Sequence, residues 1–281
     1  MDEIFKTLLV GFIVLVTHCL EGITGFGCTV LALPFIALLL GIKTAVPVLM
    51  VLAWILAGYI IFRSWKHIRW KEFGFIVLFV SVGLPVGIFL FDYCPEVILS
   101  ALLSVFMVAV GSHGVYKTWK ERPENAELDD SEAALELAAV PVTVSEEVPA
   151  AVQQNHSKSW LIRATLLLGG MVHGAFGTGG PFVVIYATKA LPEKTLFRVT
   201  LCLLWFSLNS LLLLKWTFAG DIWTSSTINY TLISLPFLLG GMFLGDWLHH
   251  KVNEYYFRIS VYTVLTLSGF VMLWKVASKL F

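Results

Sequence analysis

The chain has 281 residues, of which 58% are hydrophobic and only 14% charged, with a mean hydropathy of +0.83. Soluble domains carry about 25% charged residues, so this composition excludes water as the solvent for most of the chain. Nineteen basic and nineteen acidic residues balance to a net charge of zero, which excludes the basic footprint of a nucleic-acid binder.

The first apolar run, Ile4–Leu20, follows Met1-Asp2-Glu3, contains Lys6 and is followed by no small-x-small cleavage site. It therefore reads as a retained segment, not a secretory signal. It breaks into Glu21-Gly22-Ile23-Thr24-Gly25-Phe26-Gly27, after which a second short run covers Cys28–Leu40. Three stretches then reach the roughly 20 apolar residues that cross a hydrocarbon core: Thr44–Phe62, Phe73–Phe91 and Val97–Tyr116. Between 120 and 158 nine acidic residues (Glu121, Glu124, Glu127, Asp129, Asp130, Glu132, Glu136, Glu146, Glu147) face Lys120, Arg122 and Lys158. Ala, Val, Pro and Ser fill the remainder, the composition of a solvated tether, with a short helix expected over Ser131–Ala139. The apolar pattern then resumes. Trp160–Val172 breaks into His173-Gly174-Ala175-Phe176-Gly177-Thr178-Gly179-Gly180-Pro181, and a brief run ends at Leu191. Three long stretches follow at Leu196–Leu214, Ile228–Leu244 and Phe257–Val276. The expected organisation is a first transmembrane repeat at 1–119, an acidic linker at 120–158 and a second repeat at 159–281. Cys19, Cys28, Cys94 and Cys202 form no C-x-x-C pair and read as small core residues.

The halves repeat in order. Adding 152 to Glu21, Gly22, Gly25 and Gly27 gives His173, Gly174, Gly177 and Gly179, and Gly87–Asp92 matches Gly241–Asp246 at an offset of 154. Positive charges set the expected topology. Arg63, Lys66, Arg69 and Lys71 share one loop, and Lys117, Lys120 and Arg122 lie two spans later, on the same side. Lys158, Arg163, Lys189, Lys194, Arg198, Lys251 and Arg258 fall there again. The opposite face holds Lys6, Lys43, Lys215, Lys275 and Lys279 beside Asp92, Glu96 and Asp221. Both termini are thus expected outside a cell membrane and the linker in the cytoplasm. A short broken pair returns the chain to the side it left whether it crosses twice or turns back, so each half crosses an odd number of times. The expected fold class is an all-α polytopic membrane protein of two inverted-topology repeats, each a glycine-broken short-helix hairpin followed by three long transmembrane helices.

Irregular backbone at membrane depth survives only where protein or a wet cavity satisfies its polar groups. Two such breaks at matching places in inverted halves point to a substrate site. Helices restarting after Gly27 and Gly180 would aim unsatisfied N–H groups and positive dipole ends inward, which suits an anion. The competing reading is that these glycines serve close helix packing.

The G-x-x-G-F-G pattern of Gly22–Gly27, the H-G-A-F-G-T-G-G-P partner at His173–Pro181 and the matched Gly87–Asp92 and Gly241–Asp246 segments resemble the TauE/SafE family of sulfite and organosulfonate exporters. The resemblance covers nearly the whole chain outside the linker. It implies export of sulfur-containing anions such as sulfite, taurine-related sulfonates or sulfoacetate. The first motif reads Gly25-Phe26-Gly27-Cys28 where the family pattern carries more glycine, which implies a narrower or differently selective cradle in the first half.

The expected anion-binding residues are Thr24, Gly25, Phe26, Gly27, Thr29, Gly177, Thr178, Gly179, Gly180 and Asn209, with the threonine hydroxyls donating beside backbone amides. Glu21, His173 and His18 are candidates for proton coupling, because intramembrane ionisable groups are costly and report on function. An interhelical hydrogen bond is the other reading of Asn209. Trp54 and Phe206 share the 152 offset and line either the core or the substrate. Arg198 and Lys194 attract anions at a helix start or mark topology. Two other classes stand beside the carrier: an intramembrane metalloenzyme on His18, Glu21 and His173, and a scaffold acting through its linker. The carrier reading expects an anionic substrate and a lipid bilayer as partners, allows a homodimer, and expects no nucleic acid, no cofactor and no enzymatic activity. No G-x-x-x-x-G-K-[ST] loop is present to use ATP.

Overall fold

The computed structural model describes residues 3–24, 28–120, 159–191, 193–220, 222–248 and 254–280. The acidic linker beyond residue 120, with its expected short helix at Ser131–Ala139, lies outside the described residues. Among the described residues there are ten α-helices: α1 (Glu3–Thr24), α2 (Cys28–Leu40), α3 (Ile42–Ser64), α4 (Trp70–Tyr93), α5 (Glu96–Lys120), α6 (Ser159–Phe176), α7 (Gly180–Ala190), α8 (Lys194–Ala219), α9 (Ser225–Leu248) and α10 (Glu254–Leu280). Among the described residues there is no strand. The long helices outrun their apolar stretches by a few residues at each end. Lys43, Arg63 and Lys120 sit in these added turns, where a helix satisfies its own backbone while the side chain reaches the polar zone.

Helices α3, α4, α5, α8 and α9 are long and apolar enough to cross a membrane. The sixth expected span lies in α10, whose described apolar part is the shorter Tyr262–Ser278. The short partners are also apolar: Thr29–Leu40 in α2 and Ile162–Phe176 in α6. Large apolar side chains face outward along the long helices, among them Leu78, Val82 and Phe89 of α4 and Leu232, Leu239 and Phe243 of α9. In water such a surface would drive association; in lipid it is the solvated face. The chain is a multi-pass membrane protein.

Among the described residues, the four most extensive helix pairings join the two halves. Helix α4 packs on α6 and α1 on α9, while α3 packs on α8 and α5 on α10. Small residues set the directions of these contacts. Gly83 and Gly87 of α4 meet the backbones of Leu167, Met171 and Ala175, ascending together, so α4 and α6 run parallel. Gly11 meets Phe237 and Gly241 meets Leu15 and Cys19, which makes α1 and α9 parallel as well. By contrast, Gly111 and Gly114 meet Thr266 and Tyr262 while Gly269 meets Val108, so α5 and α10 are antiparallel. The α3–α8 pair is also antiparallel: Trp54 stacks on Phe206 with ring centroids 5.1 Å apart, its Nε1–H donates to Ser210 Oγ at 2.8 Å, and Arg69 N–H donates to Thr200 Oγ1. Trp54 and Phe206 are the residues related by the 152 offset, and their rings are in direct contact.

Charged groups collect at the bundle ends. At one end Lys43 donates to the Phe91 carbonyl, Lys215 pairs with Asp92, Ile42 N–H donates to Glu96 at 2.7 Å and Lys275 donates to the Leu38 carbonyl at 2.9 Å. At the other, Tyr186 donates to Glu72 beside the loop carrying Arg69. The sequence groups Lys43, Asp92, Glu96, Lys215 and Lys275 on one face, and they share one end here.

Candidate functional site

Both short-helix breaks border one small cavity. Its lining comprises Glu21 from α1, Thr29 and Val30 from the start of α2, and Ala53 and Ala57 from α3. The second half contributes Gly177 and Thr178 from the break, Gly180 at the start of α7, and Cys202, Trp205 and Asn209 from α8. The space measures about 40 Å³, room for about one water.

Local chemistry explains the break between α6 and α7. Gly177 adopts φ +68°, a left-handed conformation that a residue with a Cβ takes only under strain. Gly177 N–H still closes a bond to the His173 carbonyl at 2.7 Å, so α6 ends in a satisfied turn. Pro181 in the first turn of α7 carries no N–H and suits a helix start. The first turn of any helix leaves backbone N–H groups without intrahelical partners, and here the starts of α2 and α7 both line the cavity.

Thr178 is buried, and its hydroxyl has no hydrogen-bond partner among the described residues. Asn209 is buried on α8; its Oδ1 accepts from His173 Nε2 at 3.0 Å, and the His173 ring stacks on Trp205 at 5.1 Å. That bond assigns the proton to Nε2 and leaves Nδ1 as a buried acceptor with no partner among the described residues. His173 thus stands one layer behind the cavity and orients the Asn209 amide that borders it. Arg198 precedes Cys202 by one turn of α8, and Glu21 borders the lining from α1.

Several expected residues gather here and others do not. Glu21, Thr29, Gly177, Thr178, Gly180 and Asn209 border the cavity. Gly25, Phe26 and Gly27 lie outside the described residues, as does the side chain of Thr24. Gly179 is a packing glycine: a Cβ there would meet the Gly169 carbonyl and lie 2.8 Å from His173 Cβ. His18 is separate. It is fully buried, donates from Nδ1 to the Val14 carbonyl at 2.8 Å, and faces Gly241 of α9. No three His, Cys, Asp or Glu among the described residues form a metal-holding group, so His18, Glu21 and His173 do not assemble the centre that the metalloenzyme alternative needs. Trp54 and Phe206 pack on each other and do not border the cavity, which is the core role. The sequence reading missed Val30, Ala53, Ala57, Cys202 and Trp205. The 152 offset was the available signal, since it pairs Ala53 with Trp205 and Ala57 with the suspected Asn209.

Neither the curated proteins nor the solved structures contain a match to the chain. Compared with known families, residues 9–272 match the sulfite exporter TauE/SafE family, which takes in both glycine breaks and every helix that borders the cavity. This span covers nearly the whole chain, and the chain belongs to the TauE/SafE sulfite exporter family of membrane transporters.

Proposed function

We propose that this protein is a secondary carrier of small sulfur-containing anions, sulfite or organosulfonates, working by alternating access around the cavity between its halves. The observation that carries this reading is the convergence of the α2 and α7 helix starts, with the unpartnered Thr178 hydroxyl, on one enclosed space. Helix starts concentrate N–H donors and positive partial charge, the complement of an oxyanion. Asn209 and Thr29 add side-chain donors, and Arg198 supplies a full positive charge nearby. A space of about 40 Å³ is smaller than a sulfonate, so in this reading the halves part to load or release it.

In this reading the repeats are inverted, a proposal supported by the antiparallel contacts of the equivalent helices α3 with α8 and α5 with α10. Exchange of roles between inverted halves gives the two access states. The positive-charge pattern supports both termini outside and the acidic linker in the cytoplasm. Glu21, half-buried at the cavity, is the proposed proton carrier; His173 is held by Asn209 and Trp205 and positions the amide.

Flux of sulfite and small sulfonates into liposomes containing the purified protein tests the proposal. Wild-type protein is expected to carry at least one of these anions without ATP. Gly177→Val is expected to abolish that flux, because it combines a left-handed φ with contact on Met50 at 3.0 Å. Undiminished flux in Gly177→Val would remove the proposed site, and wild-type protein carrying none of these anions would remove the proposed function.

A further inference from the structure

The two halves match in sequence at an offset of 152 and differ in content where they border the cavity. On α8, Trp205 stacks against His173 and Asn209 bonds to it, so the second half is filled and its amide is held. The residues at the same places in the first half are Ala53, Ala57 and, for His173, Glu21. All but His173 line the cavity. The cavity is thus bordered from the first half by two methyl groups where the second half presents an indole and an amide. Ala53 and Ala57 are one turn apart on α3 and present their methyls on one face.

We infer that Ala53 and Ala57 are specificity-determining residues that set how large an organic group the carried anion bears. This rests on the anion-carrier reading. The chemistry divides along the same line as the sequence. The Thr178 hydroxyl, the Asn209 amide and the start of α7 lie in the second half and suit the anion's oxygens. The first half offers two apolar methyls that cannot hydrogen-bond but can pack against a carbon chain. Sulfite uses only the polar part, whereas an alkanesulfonate needs both. Every carbon added at position 53 or 57 removes volume from the organic end, in a space that holds about one water before the halves part.

The test is a flux ratio in liposomes, ethanesulfonate over sulfite, for wild-type protein and Ala57→Gly, Ala57→Val, Ala57→Leu and Ala53→Leu. One methylene in a pocket discriminates substrates by about tenfold or more. The ratio is therefore expected to rise in Ala57→Gly, to fall in Ala57→Val, and to fall by at least about tenfold in both leucine variants. If a leucine variant does not fold, the glycine and valine variants still decide, since they demand opposite changes. A ratio that stays at the wild-type value in both overturns the inference and leaves the carrier reading intact. Sulfite flux with no sulfonate flux in wild-type protein has the same consequence. Wild-type protein that carries neither anion overturns the carrier reading, and the inference falls with it.

Discussion

Gly174 belongs to the glycine-rich break by sequence, yet it faces α4 and not the cavity. A Cβ at Gly174 would lie 2.5 Å from the Leu84 carbonyl oxygen and 2.8 Å from Ile88 N. Ordinary carbon-to-oxygen contacts are about 3.3–3.6 Å, so α4 and α6 would have to separate by roughly 1 Å. The obstacle is backbone on a neighbouring helix and cannot rotate away. Overpacking of this kind costs about 1–3 kcal/mol, and relief from glycine's poor helix propensity returns about 1 kcal/mol, for a net loss of up to roughly 2 kcal/mol in Gly174→Ala. Gly74 supplies the contrast. It lies inside α4, and a Cβ there meets nothing within 4 Å. Gly74→Ala keeps the propensity gain of about 0.5–1 kcal/mol with no clash. The propensity gain is common to both, so the two alanine variants should differ by the overpacking cost, about 1–3 kcal/mol in unfolding free energy measured by SDS titration in mixed micelles, with Gly174→Ala the less stable. Equal stability of the two variants would refute the close α4–α6 approach and with it the assignment of Gly174 to packing.

Two further outcomes follow from the same contacts. Thr178→Val preserves shape and deletes a buried hydroxyl that has no partner among the described residues, so stability in the same titration should hold or rise by up to about 1 kcal/mol while sulfite flux falls; unchanged flux would remove Thr178 from the anion site. Asp92→Asn breaks the pair with Lys215, whose partners are 29% and 35% exposed, so the loss should be at most about 1 kcal/mol and should shrink in high salt, and a loss that salt does not reduce would contradict the pair's solvent-screened character.

Much of this architecture is legible in the sequence because lipid makes one dominant demand. Apolar runs of spanning length became α3, α4, α5, α8 and α9, with errors confined to the polar turns at their ends. The offset of 152 did more than reveal a repeat: it named Trp54 and Phe206, and these two rings touch. What the sequence does not distinguish is the use of each glycine. Gly174 and Gly179 fill a close helix approach, whereas Gly177 and Gly180 border the cavity, and both uses call for a missing side chain. Ala53 and Ala57 were invisible for a related reason. An alanine in an apolar span carries no chemical signal, and its value depends on the crossing of α3 over α8. His18 misled in the opposite direction, because a histidine at i−3 from Glu21 looks like a shared site. Its Nδ1 bond to the Val14 carbonyl ties the ring back to the preceding turn of α1 instead.

In the proposed carrier, helix pairings between the halves and a lining that differs between them answer two requirements that pull apart. Interconversion between access states is easiest when the halves are equivalent, because each state is then the other with the roles exchanged and neither is far lower in free energy. Selective binding of an amphiphilic anion needs the reverse, with donors on one side and apolar surface on the other. The contacts between the halves include those of α4 on α6, α1 on α9, and the ring-on-ring crossing of α3 and α8. The difference is confined to three offset pairs, Glu21 with His173, Ala53 with Trp205 and Ala57 with Asn209. In the second half these three side chains are bound to one another, so that half presents a rigid donor whose orientation does not need to be set on binding. In the first half they are a carboxylate and two methyls, which leave room for a ligand and for a proton. An exchange of content between the halves, Ala53→Trp with Trp205→Ala, should therefore keep the frame and invert the lining, and loss of folding in that double variant with both single variants folded would show that the frame is less equivalent than its contacts indicate.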